Sequence, residues 1–455
     1  MNSIKHHHEL VATQKRRFWW LLLGTSLFCL LSVVAGGWLW NFQQTRRVRA
    51  ILENAKSRGE PIATTELNEF YRQPKLEDDA SPLWIEGMKP LTQAGHSSDA
   101  GAVPLLAEHS IHLWMTQEPL RELLGGEKIY LDKYATSLEK FHQAAAKGGA
   151  ARLPVDFTPG AATLLPYTQA TREAARLLQL DIVIKSKQND VRGMANSLRT
   201  LLVLSRCLEN EPTTVSQLVA MAIDRLGDEA LAATICQFEF LEDELNEFER
   251  IIRKRDERKR INRALAGERV LAITAFENPS SLDSQAPKLF VLKSDLAIYL
   301  EHLEMLTAAA KLEFPDAIAA AKAAQDQLAT QTTGGLAMLT SRLAKTLDFD
   351  FKKNLFQTTA HSIAKNSAAT TAIAVERFRR ATGRVPQSLA ELVPTYLPME
   401  PNDPFSGAVM KYRVSTAGVL IYSVGENLKD DLGVDLNEAD RGLWIPLAKY
   451  GGYSH

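Results

Sequence analysis

The sequence predicts a mainly α-helical protein with three parts. A single N-terminal transmembrane helix leads into an α-helical hairpin array or bundle, and a small α+β unit closes the chain. Three observations carry this prediction. Residues 18–42 form a run of 25 residues without one charged side chain. Through the middle of the chain, apolar residues recur at helical spacing within stretches rich in Ala, Leu, Arg and Glu, all good helix formers. Near residue 357 this pattern gives way to proline-punctuated segments and alternating apolar and polar residues.

Size and composition bound the answer. At roughly 100–200 residues per domain, the 455 residues of the chain call for two or three domains. Apolar residues at 45% and charged residues at 24% are ordinary for a folded protein and exclude wholesale disorder. Lys and Arg number 53 against 54 Asp and Glu, a formal charge of −1, so the bulk basic excess of a nucleic-acid binder is absent. Three cysteines make neither a disulfide framework nor a four-thiolate zinc site.

The apolar run reads FWWLLLGTSLFCLLSVVAGGWLWNF. About 20 helical residues cross a hydrocarbon core of ~30 Å, so the run is long enough with some tilt. Trp19 and Trp20 stand at one end and Trp38 and Trp40 at the other, where amphipathic rings favour the interface. Lys15, Arg16 and Arg17 precede the run, closing a short basic tail of residues 1–17, and Arg46, Arg47 and Arg49 follow it. A cleaved signal peptide is the competing reading, but its apolar core spans only ~7–15 residues. Here Ala35-Gly36-Gly37 is followed by further apolar residues, so an uncleaved anchor is expected. Basic residues flank both ends, and long domains translocate largely regardless of such charge. The expected topology places the tail inside and the bulk of the chain in the extracytoplasmic space.

Residues 50–356 read as a helical domain. Leu177, Leu178, Leu180, Ile182 and Val183, then Leu198, Leu201, Leu202 and Leu204, recur at helical spacing on either side of Asn189-Asp190. Asp190 is a candidate N-cap for the second of these helices, and Thr213 or Thr214 for a third. Glu211-Pro212 is the expected end of the second helix. His109 and His112 lie three apart, but no partner pattern such as HExxH accompanies them, and surface histidines are the expected reading. Residues 250–269 hold nine basic side chains diluted by Asp256, Glu257 and Glu268, which reads as a solvated helix face. Cys207 and Cys236 fall on neighbouring helices, either as a bridge or as two buried thiols. No GxSxG, P-loop or GxGxxG motif occurs, and no catalytic residue is assigned.

Residues 357–455 form the α+β unit. A long helix ends at Gly383, where a left-handed residue is expected. Ser388 and Glu391 make an S-x-x-E capping box that predicts a short second helix. Pro394, Pro398, Pro401 and Pro404 then forbid regular helix. Met410, Tyr412 and Val414 alternate with Lys411 and Arg413 as a half-buried strand, and Thr416-Ala417-Gly418 turns the chain into a second strand over residues 419–424. Residues 423–440 carry Glu426, Asp430, Asp431, Asp435, Glu438 and Asp440 against Lys429 alone. Calcium takes six to eight oxygen ligands in a flexible loop. Asn427, Asp430, Asp431, Asp435 and Asn437 are the candidate donors for a structural calcium ion, although the spacing is not that of an EF-hand.

The segments TGRVPQSLAELVPTYLP, NDPFSGAVMKYRV and LIYSVGENLKDD, following a helix in this order, resemble the carboxy-terminal domain of the major pseudopilin of type II secretion. That resemblance implies a pseudopilin-like fold for residues 357–455, a calcium-binding loop after the last glycine, and a place at the bacterial inner membrane. A prepilin-peptidase site is not matched: Arg17 precedes Phe18, and Leu22 stands at the fifth position, where that family has Glu. The overall layout is also similar to membrane-anchored proteins of planctomycete and verrucomicrobial type. The shared elements are Glu211-Pro212 with Ser216-Gln217-Leu218-Val219, and Leu265-Ala266-Gly267-Glu268-Arg269.

These readings lead to an expected non-catalytic structural or adaptor protein of the cell envelope. It is anchored by one transmembrane helix, with protein partners beside a type II secretion or pilus-like assembly and no nucleic acid. One alternative is an envelope hydrolase built from Glu173, Glu209, Glu211, Asp224 and Glu268. The other is a binder of anionic lipid or nucleic acid through the basic helix over residues 253–263.

Overall fold

The computed structural model describes residues 2–93, 103, 124–277, 293–333, 350–433 and 441–447. Helix α1, Asn2–Ser57, is continuous. Its apolar part stands clear of the rest of the protein, with Trp19, Phe28 and Trp38 all more than 60% exposed. This helix is long and apolar enough to cross a membrane. The sequence reading separates the span, ending at residue 42, from a helical domain beginning near residue 50. The helix instead runs straight through that interval, because no Gly or Pro interrupts it between Gly37 and Ser57. Gln44 is already buried, Val48, Ile51 and Leu52 pack into an apolar cluster, and Arg47 Nη2 lies 2.8 Å from Glu301.

The body is helical almost throughout. After α2 (Thr64–Phe70) and α3 (Ser81–Met88) come α4 (Leu124–Lys133), α5 (Ala135–Ala146), α6 (Pro166–Lys187), α7 (Val191–Leu204) and α8 (Thr214–Thr234). Helices α9 (Glu242–Arg253), α10 (Glu257–Glu277), α11 (Lys293–Ala309), α12 (Asp316–Thr333) and α13 (Asp350–Thr382) follow. Asp190 caps α7 by accepting from the Gly193 amide at 2.9 Å, and Thr213 caps α8 by accepting from Ser216 at 3.1 Å, as the sequence predicts. Helix α7 ends earlier than expected, at Leu204, and a short 3-10 turn over Ser205–Cys207 carries the chain onward.

Helix α8 is the hub, packing against α6, α7, α10, α13 and the sheet. Small residues permit this crowding. Ala220, Ala230, Ala232 and Ala233 of α8 and Ala360, Ala364, Ala368 and Ala372 of α13 are buried, which lets helix backbones approach closely. A second close approach joins α10 to the loop before α8. A methyl group added at Gly267 would lie 1.6 Å from the Pro212 carbonyl oxygen, so only glycine fits. This contact joins the Glu211-Pro212 element to the Gly267-Glu268-Arg269 element.

Strands β1 (Lys411–Val414), β2 (Gly418–Ser423) and β3 (Arg441–Pro446) form an antiparallel meander in the order β1-β2-β3. Lys411 pairs with Tyr422 in one ladder, and Ser423 pairs with Arg441 in the other. Strand β3 is absent from the sequence reading, which ends its strand pattern at Val424. Val419, Ile421, Leu443 and Ile445 share one apolar cluster with the alanine face of α13 and with α6, α7 and α8. The boundary at residues 356 and 357 therefore falls inside α13, and the core runs across it. Gly383 adopts φ +74° and donates to the Arg379 carbonyl, ending α13 as predicted. The capping box at Ser388 does not form. Residues Leu389–Leu392 make a 3-10 turn, Ser388 caps nothing, and Glu391 accepts from the Gln387 amide while pairing with Arg384. Four prolines in the following eleven residues leave no length for an α-helix.

Replacing Gly267 by Ala is expected to destabilise the chain by at least about 1–3 kcal/mol, since the obstructing atom is backbone and cannot rotate away. Gly126→Ala, on a helix with no atom within 4 Å of the added methyl, is expected to be neutral or to stabilise by up to about 1 kcal/mol. Thermal unfolding of the two variants side by side checks both signs; equal midpoints would refute the close approach.

Candidate functional site

Among the described residues, two buried polar clusters and two surface clefts bring polar side chains together. The larger cluster is built on α8, where Asp224 and Asp228 stand one turn apart on the same face. Opposite them lies the break of residues 254–256 between α9 and α10. Arg255, in that break, sets Nε 3.0 Å from Asp224 and Nη1 2.8 Å from Asp228. Arg260, one turn into α10, reaches Asp224 at 2.5 Å and Glu257 at 3.3 Å. Ser205 donates to Asp224 at 2.6 Å, while Ser362 and Asn366 of α13 donate to Glu257. Asn366 also accepts from Arg255, and Lys365 pairs with Glu229 at 2.6 Å. The Arg255 and Arg260 side chains are at most 4% exposed and the two aspartates at most 1%.

The charges answer to that burial. Burial works against the positive charge of Arg260, but Asp224 and Glu257 outweigh it and hold the guanidinium above its ordinary range. Asp228 is pushed up to about 7 by burial, with Arg255 opposing and the like charge of Asp224 assisting. The solvated face expected over residues 250–269 holds for Arg250, Arg253, Lys254, Arg258 and Lys259 and fails for three of the arginines. Arg255, Arg260 and Arg269 point inward, because acidic partners on α8, α10, α11 and the chain after α1 wait there. Arg269 is 1% exposed and bridges Glu60 at 2.7 Å and Glu304 at 3.1 Å, where Arg58 joins them. The i, i+4 spacing of Asp224 and Asp228 puts both acids on one face of α8, but nothing local in the sequence says which cations meet them there.

The second cluster surrounds Glu211, itself 1% exposed. Tyr71 donates its hydroxyl to Glu211 at 3.3 Å and accepts from the Leu153 amide at 2.8 Å. Ser216 makes a short hydrogen bond to the other carboxylate oxygen. The Gln217 side chain donates to the backbone carbonyls of Leu208, Glu209 and Glu211. Burial raises Glu211 to about 7, opposed by the hydroxyls of Ser216 and Tyr71. Nearby, Cys207 is buried, as is Cys236, and both are free thiols pushed upward by burial.

The carboxylates weighed for hydrolysis are dispersed. Glu173 pairs with Gln169 and Arg176, Glu209 lies near Arg206 and Lys259, and Glu211 and Asp224 belong to separate buried clusters. None of these, nor Glu268, lines either cleft. One cleft, of about 720 Å³, lies between the α9–α10 break, α13 and residues 397–401. The other, of about 550 Å³, lies between α7 and α9.

The acidic loop is described up to Gly433, so Asp435 and Asn437 lie outside the described residues, as do His109 and His112. Asn427 donates to Asp431 at 2.7 Å. Asp430 accepts from the Tyr422 hydroxyl at 2.7 Å and from the Leu432 amide, with Lys411 3.5 Å away. The Tyr422 hydroxyl holds Asp430 below the usual carboxylate range. These donors are oxygen atoms of the kind calcium takes, but Tyr422 and Lys411 already engage Asp430. No group of three His, Cys, Asp or Glu suited to a metal occurs among the described residues. Asp403, not singled out as a site, orders the approach to this loop. It is buried and accepts from Phe405, Ser423 and Val424, tying the Asp403-Pro404-Phe405 turn to the end of β2.

Comparison with protein-family models, with curated proteins and with solved structures finds no match to this chain.

Glu211 generates a pH prediction. The folded chain keeps this proton until about pH 7, whereas an unfolded chain releases it near 4.5. Stability from this group is therefore lost as the pH rises from 4.5 to 7, by on the order of 3 kcal/mol. Glu211→Gln is expected to flatten that slope and to exceed the parent in stability at pH 8, with little difference at pH 4.5. Denaturant unfolding of both proteins across this range checks it; parallel profiles would contradict it. Asp224→Ala, which removes the buried acid shared by Arg255 and Arg260, is expected to cost about 3–5 kcal/mol in the same assay.

Proposed function

We propose that the chain is a single-pass membrane-anchored adaptor of the bacterial envelope, acting by binding rather than by catalysis. The observation that carries this reading is the unbroken α1. Its apolar stretch is exposed, and its last turns are built into the body through Gln44, Val48, Ile51, Leu52 and the Arg47–Glu301 pair. A helix with an exposed apolar length and a buried end suits an anchor that stays attached. A cleaved leader would take part of the same helix with it.

The pseudopilin-like reading of the last hundred residues is supported by a long helix packed on a small antiparallel meander, and by the role of Asp403. Partners in a type II secretion or pilus-like assembly follow from that resemblance. A calcium ion bound by Asn427, Asp430, Asp431, Asp435 and Asn437 would be structural, holding a loop of little apolar content. The lipid or nucleic-acid reading draws less support, since two of the arginines in that stretch, Arg255 and Arg260, are consumed in buried pairs.

Expression of the full chain in a bacterial host, followed by alkaline extraction of the membranes, tests the anchor. Full-length protein in the pellet is expected, with protease added outside the inner membrane digesting the body. Release of a shortened chain into the soluble fraction would overturn the reading. For calcium, the full chain in detergent is expected to unfold at a higher temperature in millimolar calcium than in chelator. A ligand at 100 times its dissociation constant adds about 2.7 kcal/mol. The shift should vanish in Asp430→Asn/Asp431→Asn; coincident curves for the parent would remove calcium from the proposal.

A further inference from the structure

Helix α1 leaves its apolar stretch with two different faces. Gln44 and Ala55 are buried, and Val48, Ile51 and Leu52 pack into the body, all at helical spacing on one side. Trp38, Phe42, Arg46 and Arg49 follow one another at spacings of four, four and three on the opposite side. These four side chains are exposed, and the Trp38 and Phe42 rings stack with centroids 5.8 Å apart. The arginines of this segment divide in the same way. Arg47 pairs with Glu301, and Arg58 pairs with Glu60 and Glu304, so the body supplies acids to both. Arg46 and Arg49 have no hydrogen-bond or ion-pair partner among the described residues. Glu53, one turn beyond Arg49 on the same face, forms no ion pair with it.

Helix geometry sets the depth of these two cations. At about 1.5 Å per residue, the Arg46 and Arg49 backbones stand roughly 6 Å and 10 Å beyond Phe42. Side chains on a helix lean towards its N-terminus, here back towards the apolar stretch. Both guanidinium groups therefore reach the polar layer that covers a ~30 Å hydrocarbon core, where phospholipid phosphates lie. The guanidinium fork matches phosphate oxygens in a bidentate fashion. We propose that Arg46 and Arg49, with the Trp38–Phe42 stack beneath them, form a docking face for an anionic phospholipid. The phosphate meets the two arginines, and the acyl chains run along Phe42 and Trp38, continuous with the apolar stretch. Phosphatidylglycerol brings a net negative charge to this face, whereas the choline of phosphatidylcholine adds a cation that the arginines repel. The inference rests on the membrane-anchor reading and holds for either orientation in the bilayer. It is separate from the basic helix over residues 253–263.

The test reconstitutes the full chain into phosphatidylcholine bilayers holding a trace of spin-labelled phosphatidylglycerol or spin-labelled phosphatidylcholine. Electron paramagnetic resonance separates lipid slowed by contact with the protein from free lipid. Phosphatidylglycerol is expected to be enriched in the slowed fraction by about twofold or more, averaged over all the lipids that touch the span. Arg46→Gln/Arg49→Gln is expected to remove most of that excess, and Arg16→Gln/Arg17→Gln, at the other end of the span, to remove less. Arg46 and Arg49 are exposed, so their variant keeps its fold, and an unchanged unfolding midpoint in detergent verifies this. The proposal is overturned by equal enrichment of the two lipids, or by an excess that Arg46→Gln/Arg49→Gln leaves intact. Loss of the excess on adding inorganic phosphate at equal ionic strength would also overturn it, by assigning the arginines to a soluble anion. Slowed lipid without a preference removes this site and leaves the anchor standing. If neither lipid is slowed, the anchor reading has failed and the docking face fails with it.

Discussion

Asp224 is where the architecture is fixed. Its carboxylate sits in the middle of α8, which packs against four helices and the sheet, and it receives two arginines and a serine from three separate places in the chain. Two cations and two neighbouring acids in a dry interior tolerate few arrangements, because each displaced partner leaves a charge without water. The break between α9 and α10 is held against α8 for this reason. Through Glu257, Asn366 and Ser362 the same cluster fixes the register of α13. Apolar packing supplies most of the area around it, but alanine faces slide over one another with little preference. The ion cluster selects one alignment among the many that such faces allow.

Much of this was legible beforehand. The apolar run, Asp190 and Thr213 as caps, Gly383 as a helix terminator and the β1–β2 hairpin are local features, written in a few adjacent residues. What the sequence concealed is non-local. Burial of Arg255, Arg260 and Arg269 depends on acids some 30 to 200 positions away, and a run of nine basic residues looks the same whether it faces water or aspartate. Strand β3 was missed because a strand added at a sheet margin after an acidic loop carries only a brief signal, Gly442-Leu443-Trp444-Ile445. The failed cap at Ser388 shows the opposite error. The S-x-x-E pattern was real, but Arg384 and the Gln387 amide claimed Glu391 first.

The Glu211 and Gly267 elements show how short motifs acquire meaning. Separately each is a string of common residues. Together they form one contact, in which a glycine admits the Pro212 carbonyl while the preceding glutamate is sealed beneath Tyr71 and Ser216. Such a joint serves packing, and its residues are constrained by volume and hydrogen bonding without any need of a substrate.

Helix α1 crosses from its apolar stretch into the body over a single turn, with no flexible residue at which to bend. Gln44 follows Phe42 by two positions, about 3 Å of helix rise. With the apolar stretch seated in a bilayer, the body rides on the surface like a flag on a rigid mast. Its height is fixed, and its orientation follows the tilt and rotation of the span. The same face of the body is then always presented to the space above the bilayer, and a tug on the body is felt directly within the membrane.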